Sequence, residues 1–417
     1  MQRFFEGNHT GAGDIVEWLE KNFRSNQSVQ KFVSNYRFRL ENYSKINSNA
    51  IGMVVPLDGK LGRYGRKVIA GVNTALVENK SAQNLKVFVK DNGNNILLAK
   101  RQIQELAVKE NVGVIIGGLF PHLAKDEYLE AKKYGVLFIS LSPVYLPRSE
   151  KNHLLIEIPG SVESQIAEVT RPEVLEMFGK RVSILYPWSD VGQSYVDELW
   201  GVHNADTIEL KNITEYNKGI SDYREPVKRV LGLAHPRERK EEYKIWNEIK
   251  NVSTSNVRIV NVLPPVVDFD WIFVPALPRE ALQIIPTFSF YDVKGMKFVG
   301  GPSWINKQIQ REKRNFSANV YVIGNDTANI SEDFKKKYLE RNGNSPHLVD
   351  TLSYEAGFLI SKLLSGQTYS EREDLEKTIL NQEQIMGMNF KWNFKGGLWI
   401  KQMDLLEVRS NSFRKVL

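Results

Sequence analysis

The sequence contains no cysteine. That excludes disulfides, thiolate metal sites and cysteine nucleophiles together, but neither redox compartment, since reducing and oxidising surroundings both accept a cysteine-free chain. Long apolar runs are missing too. None reaches the roughly 18–20 residues that span a bilayer, so no transmembrane segment is expected. The first residues, MQRFFEGNHTGAG, have neither an apolar core nor a cleavage-like tail. They are not a signal peptide, and an exported protein would be seen here in a mature or truncated form. Histidine is scarce: His9, His122, His153, His203, His235 and His347 are the whole set, none paired at a metal-ligand spacing such as HExxH. Without cysteine a zinc site has little to draw on, so no metal is expected and the histidines read as surface or capping residues. The sequence also lacks a GxSxG elbow and a P-loop, and GKLGRYG (59–65) spaces its glycines differently from GxGxxG. No catalytic residue and no cofactor are expected. The net charge of +7 is spread thinly, not gathered into a stripe with aromatic platforms, so no nucleic-acid partner is expected.

What is present is an ordinary globular composition, 42% hydrophobic and 25% charged, in a chain long enough for about two or three domains. Residues up to about 47 predict two helices. Ile15, Trp18, Leu19 and Phe23 stripe the first, and Val29, Phe32, Val33, Tyr36, Leu40 and Tyr43 the second. One helix pair cannot bury its own face. It must dock on the main body or continue a helical array cut off upstream, and the abrupt start favours the array.

From Ile51 the period changes. IGMVVPLDGKLGRYGRKVIAGVNTALVENK (51–80) reads as strand, turn and helix, with Val68, Ile69, Val72, Ala75 and Leu76 on the buried stripe. Gly59 and Gly62 let the backbone turn; Gly65 and Gly71 let helix and strand approach closely. Further β-rich runs follow at Leu85–Asp91, Val112–Gly118 and Val136–Ser142, with helical segments such as Ile96–Glu110 between them. Strands alternating with helices predict a parallel, doubly wound sheet covered on both faces. After Leu154–Gly160 and a helix over Val162–Phe178 the pattern restarts. Arg181–Pro187, Thr207–Ile213, Asp270–Ala276, Met296–Pro302 and Asn319–Asn325 supply a second α/β lobe. Between Ala234 and Asp268 the charges alternate in sign, as in a solvated surface excursion. The tail predicts helices at Ser331–Asn342, Val349–Ser365 and Ser370–Asn381, then β-like runs that turn at Gly396-Gly397. Asp268 and Asp270 suit the start of a strand better than acid–base chemistry, and Lys307–Arg314 suits a solvated helix or loop.

PLDGKLGRYGRKVIAGVNTA resembles the opening of the type-1 periplasmic binding proteins of the leucine/isoleucine/valine-binding class, and the likeness runs from about Ile51 to the C-terminus. It implies two Rossmann-like lobes with a cleft between them and an N-terminal helical segment ahead. The leader would cover 1–47, lobe 1 would take 48–159 plus 326–392, and lobe 2 160–325 plus 393–417. The crossovers would then fall near Pro159, Asn325 and Trp392. DFDWIFVPALPREALQIIPTFSFYDVKGMKFVGGPSWIN (268–306) and FKKKYLERNGNSPHLVDTLSYEAGFL (334–359) look closer to the penicillin-binding protein activators, members of which often carry helical repeats ahead of this fold.

The resemblance also implies ligand positions. Tyr64 matches an aromatic position that lines the pocket. In GGLFPHLAK, Pro121 and His122 stand where serine hydroxyls would meet a carboxylate; FISLSPVY keeps Ser140 and Ser142 but has Val144 in place of a hydroxyl. Val191 replaces an expected tyrosine, and Pro302 the acidic partner of an ammonium group. A buried zwitterion lacking these partners would cost several kcal/mol, so a free α-amino acid is not the expected ligand. The candidate cleft residues are Tyr64, Phe120, His122, Ser140, Ser142, Tyr186, Trp188 and Trp304, with Tyr145 beside them. Their aromatics would stack on a sugar or an apolar ligand, or close the lobes with no ligand at all. The expected function is a non-enzymatic envelope accessory protein of the activator type, partnered by a peptidoglycan synthase or other envelope protein. The alternative is a receptor for a small ligand other than a simple amino acid, serving an ABC transporter. Either would work in the periplasm, or anchored to the outer membrane, of a bacterium.

Overall fold

The computed structural model describes residues 9–416, apart from 80, 81, 83, 205, 236, 243, 246, 247, 249–262, 326–329 and 365–367. The chain divides into two units, Met1–Ser161 with Thr327–Gln402, and Val162–Asp326 with Met403–Leu417.

Unit 1 opens on a helical hairpin, α1 (His9–Asn22) and α2 (Gln27–Asn42). Asn26 caps α2, its side chain accepting from the amides of Ser28 and Val29. Part of the hairpin's apolar surface packs on the main body. Ala12, Val16, Val33 and Tyr36 join one cluster with Ala99, Ile103 and Leu106 of the main body. Unit 1 covers these residues, while Ile15, Trp18 and Phe23 of the expected first stripe stand exposed. The exit of α2 is also pinned, with Ile46 N donating to Ser370 O and Arg372 N to Ser44 O.

Next come β1 (Ala50–Val55), α3 (Gly62–Glu78), β2 (Lys86–Asp91), α4 (Ile96–Val108), β3 (Val114–Gly117), α5 (Pro121–Lys133), β4 (Leu137–Ser140) and β5 (Leu155–Glu157). They form an all-parallel sheet of order β2-β1-β3-β4-β5. β1 is buried along its whole length because both faces are covered. Ile51, Met53 and Val55 enter one cluster, while Ala50 and Val54 enter the other. The period of two carries the residues alternately to the two sides.

In unit 2 the helix expected over Val162–Phe178 is two, α6 (Val162–Val169) and α7 (Pro172–Phe178). Pro172 cannot continue a helix but suits the first turn of a new one. The strands and helices that follow are β6 (Arg181–Pro187), α8 (Asp190–Gly201), β7 (Glu209–Tyr216), α9 (Arg224–Val230), β8 (Trp271–Val274), α10 (Pro278–Phe290), β9 (Lys297–Gly300), α11 (Lys307–Glu312) and β10 (Asn319–Gly324). The parallel strands repeat the order of unit 1, as β7-β6-β8-β9-β10. The surface excursion expected between Ala234 and Asp268 lies in part outside the described residues.

The chain then returns to unit 1 as α12 (Glu332–Asn342), α13 (Leu348–Leu363), α14 (Arg372–Leu380) and an antiparallel sheet of β11 (Gln384–Met386), β12 (Lys391–Lys395) and β13 (Leu398–Lys401). It ends in unit 2 with β14 (Asp404–Val408), antiparallel to β10, and β15 (Phe413–Lys415). The last passage between units thus falls after Gln402, not near Trp392. β12 and β13 are held to unit 1 by Trp392 Nε1 donating to Glu157 O and Lys401 Nζ donating to Ile158 O. Gly71, expected to face a strand, faces a helix. A Cβ there would stand 2.7 Å from Asp350 O and 2.8 Å from Ser353 Cβ on α13.

Candidate functional site

In an open parallel sheet, ligands gather outside the carboxyl ends of the strands, where the strand order reverses. In unit 1 that point lies between β1 and β3, and the loops leaving these strands carry three of the expected residues. Tyr64 sits in the first turn of α3, Phe120 immediately before α5 and His122 in its first turn. The Tyr64 and Phe120 rings meet edge to face at 6.0 Å, and Phe120 stacks on His122 at 5.9 Å. The Arg63 guanidinium lies 4.7 Å from the centre of the Tyr64 ring and donates to its hydroxyl at 2.8 Å. Tyr64 and Phe120 are half-buried and His122 is exposed. The result is a small aromatic surface with a cation beside it.

The loops beneath are tied to one another by side chains that sequence reasoning did not single out. Asp91, at the end of β2, accepts from Leu57 N after β1 and from Gly93 N. Asn92 accepts from Asn94 N, and Asn94 accepts from His122 Nε2 at 2.9 Å. Glu127 on α5, fully buried, accepts from Gly118 N at 2.6 Å and from Asn92 Nδ2 at 3.0 Å. The run DNGNN (91–95) was legible as a turn, because Asn and Asp bond their own backbone two residues on. Nothing local marks Glu127.

Ser140 and Ser142 are brought to the same edge but turned inward. Ser140 Oγ donates to Ser142 O at 2.6 Å, and Ser142 Oγ donates to Gly118 O at 2.5 Å. Each hydroxyl has one proton, so neither can donate to a ligand carboxylate while these bonds stand. Val144 is wholly buried.

Unit 2 is less accommodating. Trp304 has no exposed surface. It fills the core against Gly300 with its Nε1 donating to Ala276 O at 2.8 Å, so it is a packing residue and not a ligand contact. Tyr186, at the end of β6, is also buried, and burial raises its phenol pKa, with Glu215 and Asp197 adding to the rise. Trp188 alone of the three stands out, at 62% exposed, beside the reversal between β6 and β8. Trp188→Ala is expected to change stability by no more than about 0.5 kcal/mol, as measured by the urea midpoint; a larger loss would mean that the ring packs on the fold.

Several of the remaining candidates have partners within the fold. Among the described residues no group of three or more His, Asp or Glu could hold a metal ion. His153 pairs with Glu376 at 2.7 Å, and the His203 ring meets Ile208 O. Asp270 stands at the start of β8 and binds Arg181 through its Nη2 at 2.6 Å and its backbone amide at 2.9 Å. Burial works to raise the Asp270 carboxyl, but these hydrogen bonds and the guanidinium charge hold it below its usual range. Among the described residues no helix is long and apolar enough to cross a membrane.

No family model matches the sequence, and no curated protein matches it. Solved structures do. The branched-chain amino acid transporter substrate-binding protein of Streptococcus pneumoniae, in complex with isoleucine, is 16% identical, with 88% of this chain and 99% of that one covered at a TM-score of 0.51. An ABC transporter substrate-binding protein of Desulfitobacterium hafniense, complexed with leucine, is 13% identical over 88% and 99% at 0.57. A solute-binding protein of R. palustris in complex with benzoate is 12% identical over 89% and 96% at 0.50. The narrower likeness to penicillin-binding protein activators rests on sequence motifs alone. With its parallel sheets, its repeated strand order and these neighbours, the chain has the two-lobed α/β fold of the type-1 periplasmic binding proteins.

Proposed function

We propose that the chain is a non-enzymatic, extracytoplasmic solute receptor whose ligand is a small molecule with a planar or apolar face, not a free α-amino acid. The observation that carries this is the Tyr64–Phe120–His122 surface at the strand-order reversal of unit 1, beside serines whose protons are already committed. Aromatic faces bind apolar and planar groups well, and Arg63 offers a place for an acidic group. Neighbours of the same fold hold ligands as different as leucine and benzoate, which supports a fold that changes its ligand by changing its loops.

The test is thermal stabilisation, which grows as RT ln(1 + [L]/Kd) and amounts to about 2.7 kcal/mol at a hundredfold excess over Kd. A panel of aromatic carboxylates, sugars, muropeptide fragments and branched-chain amino acids is scanned by fluorimetry. A planar or apolar member is expected to raise the melting temperature, leucine is not, and Tyr64→Ala and Phe120→Ala are each expected to abolish the shift. A panel without effect, or leucine as its strongest member, would overturn the proposal.

The motifs at 268–306 and 334–359, and a leader hairpin on which Trp18 and Phe38 stand exposed, favour a second reading: an envelope accessory protein that engages a peptidoglycan synthase. A pull-down from bacterial envelope extract that returns no synthase would count against it.

A further inference from the structure

The solute surface of unit 1 is not held by its own contacts alone. Below it, Glu127 sits on α5 with no exposed surface, and each of its oxygens takes one hydrogen bond from a different loop. Oε2 receives Gly118 N at 2.6 Å, in the turn after β3, and Oε1 receives Asn92 Nδ2 at 3.0 Å, in the turn after β2. Gly118 is in the left-handed region at φ 61° and leads directly into Leu119 and Phe120. Asn92 in turn accepts from Asn94 N at 3.0 Å, and Asn94 accepts from His122 Nε2. One buried carboxyl group is therefore linked to both ends of the Phe120–His122 stack, through the backbone on one side and through two asparagines on the other.

We propose that Glu127 is the positioning residue of this surface, and that the presence or absence of a proton on it sets where Phe120 and His122 stand and hence how tightly the solute is held. The inference rests on the solute-receptor reading given above. Two N–H donors are met best by the carboxylate, in which both oxygens accept at full strength. A proton on either oxygen adds a donor there and removes the charge that strengthens both bonds, which loosens one arm.

The position of the titration fits this role. Burial raises the carboxyl far above its ordinary range, against the hydrogen bonds from Gly118 and Asn92, and Asp126 adds to the rise, bringing it to about 7. Other ionisable groups on the elements around it already have partners. On α5, Asp126 pairs with Lys100 of α4, and Glu130 with Lys133. On β2, Lys90 pairs with Glu105 of α4, and Asp91 takes the amides of Leu57 and Gly93. From β4 the Phe138 ring lies beside Gly117 and the Ser140 hydroxyl beside Gly118. The folded chain keeps the Glu127 proton at pH values where the unfolded chain has lost it. This contribution to stability is therefore full below about 4.5 and is lost as the pH rises through about 7.

The experiment is an NMR titration of the ligand-free protein, followed by calorimetry with whichever panel solute binds. The Gly118 amide is expected to shift with an inflection near 7, and that inflection is expected to vanish in Glu127→Gln. In Asn92→Ala the Gly118 inflection should remain while the Asn94 amide no longer follows it. His122→Gln removes the imidazole and should leave the Gly118 inflection in place. The dissociation constant is expected to rise about fivefold, the factor one hydrogen bond is worth, from the alkaline to the acid side of the inflection, and to be flat in Glu127→Gln. A Gly118 amide that does not titrate, or that still titrates in Glu127→Gln, overturns the proposal. So does a solute whose affinity is the same on both sides of the inflection, and that result leaves the receptor reading standing. If no panel member binds, the receptor reading fails, and the amide titration still decides whether Glu127 governs the turn.

Discussion

Replacing Arg372 by alanine is expected to cost unit 1 about 3–5 kcal/mol and to free the helical leader. The guanidinium is buried at the start of α14 and donates to three backbone carbonyls: Nε to Tyr43 O at 2.7 Å, Nη1 to Val112 O at 2.8 Å and Nη2 to Ala107 O. Tyr43 ends the leader, while Ala107 and Val112 bracket the passage from α4 into β3, so one side chain ties three separate segments together. Each buried carbonyl left without a donor costs about 1–3 kcal/mol, and alanine strands all three. Burial alone lowers the guanidinium, to about 10, so it stays charged at neutral pH. Lysine is expected to rescue little, because a point charge on a flexible stem cannot serve three carbonyls held in a planar fan. The measurement is native-state hydrogen exchange of β3 and α4, which follows unit 1 without assuming that both units unfold together. Protection should fall in α1 and α2 first. A loss under about 1 kcal/mol would show that the leader and the α4–β3 passage are held by other contacts.

Arg372 illustrates what a sequence hides. It follows Glu371 and precedes Glu373, in a run that reads as a solvated first turn of a helix, and its partners lie some 260 to 330 residues away in the chain. Glu127 is hidden in the same way, between Asp126 and Tyr128 on a helix with few local signals. The strands were legible because burial on both faces demands unbroken apolar runs; Arg181–Pro187 is a strand over those very residues. Tyr64 and Phe120 were legible as candidates because the resemblance and the strand pattern put them in the loops that leave β1 and β3. Trp304 has the same address but a different fate. The short 3-10 turn Pro302–Trp304 rolls its indole back over Gly300, and only the packing of unit 2 decides that. Ser140 and Ser142 were legible as hydroxyls at the right edge; that each spends its proton on a carbonyl depends on loop geometry no spacing encodes. The leader's apolar stripe looks the same whether unit 1 or another helix pair covers it.

Gly65→Ala is expected to cost about 3 kcal/mol or more, and to take the aromatic surface with it. A Cβ at this position would lie 1.8 Å from Pro56 O and 2.9 Å from Pro56 C. The obstacle is backbone, which cannot step aside as a rotamer can, so the cost belongs at or beyond the upper end of the 1–3 kcal/mol that overpacking usually brings. The comparison with Gly59 isolates the cause. A Cβ on Gly59 meets nothing within 4 Å, but its φ of 64° is left-handed, so Gly59→Ala is expected to cost only about 1–2 kcal/mol. Relief at Gly65 requires the first turn of α3 to move away from the end of β1, and Tyr64 moves with it. The Tyr64–Phe120 contact spans the strand-order reversal, so the two outcomes should come together in one variant: a lower urea midpoint and no thermal shift with the panel solute. Retention of the full thermal shift alongside a large loss of stability would show that Tyr64 does not set the solute surface. A variant within about 1 kcal/mol of the parent would show that α3 and β1 can separate at little cost, and that their closeness is not what places the site.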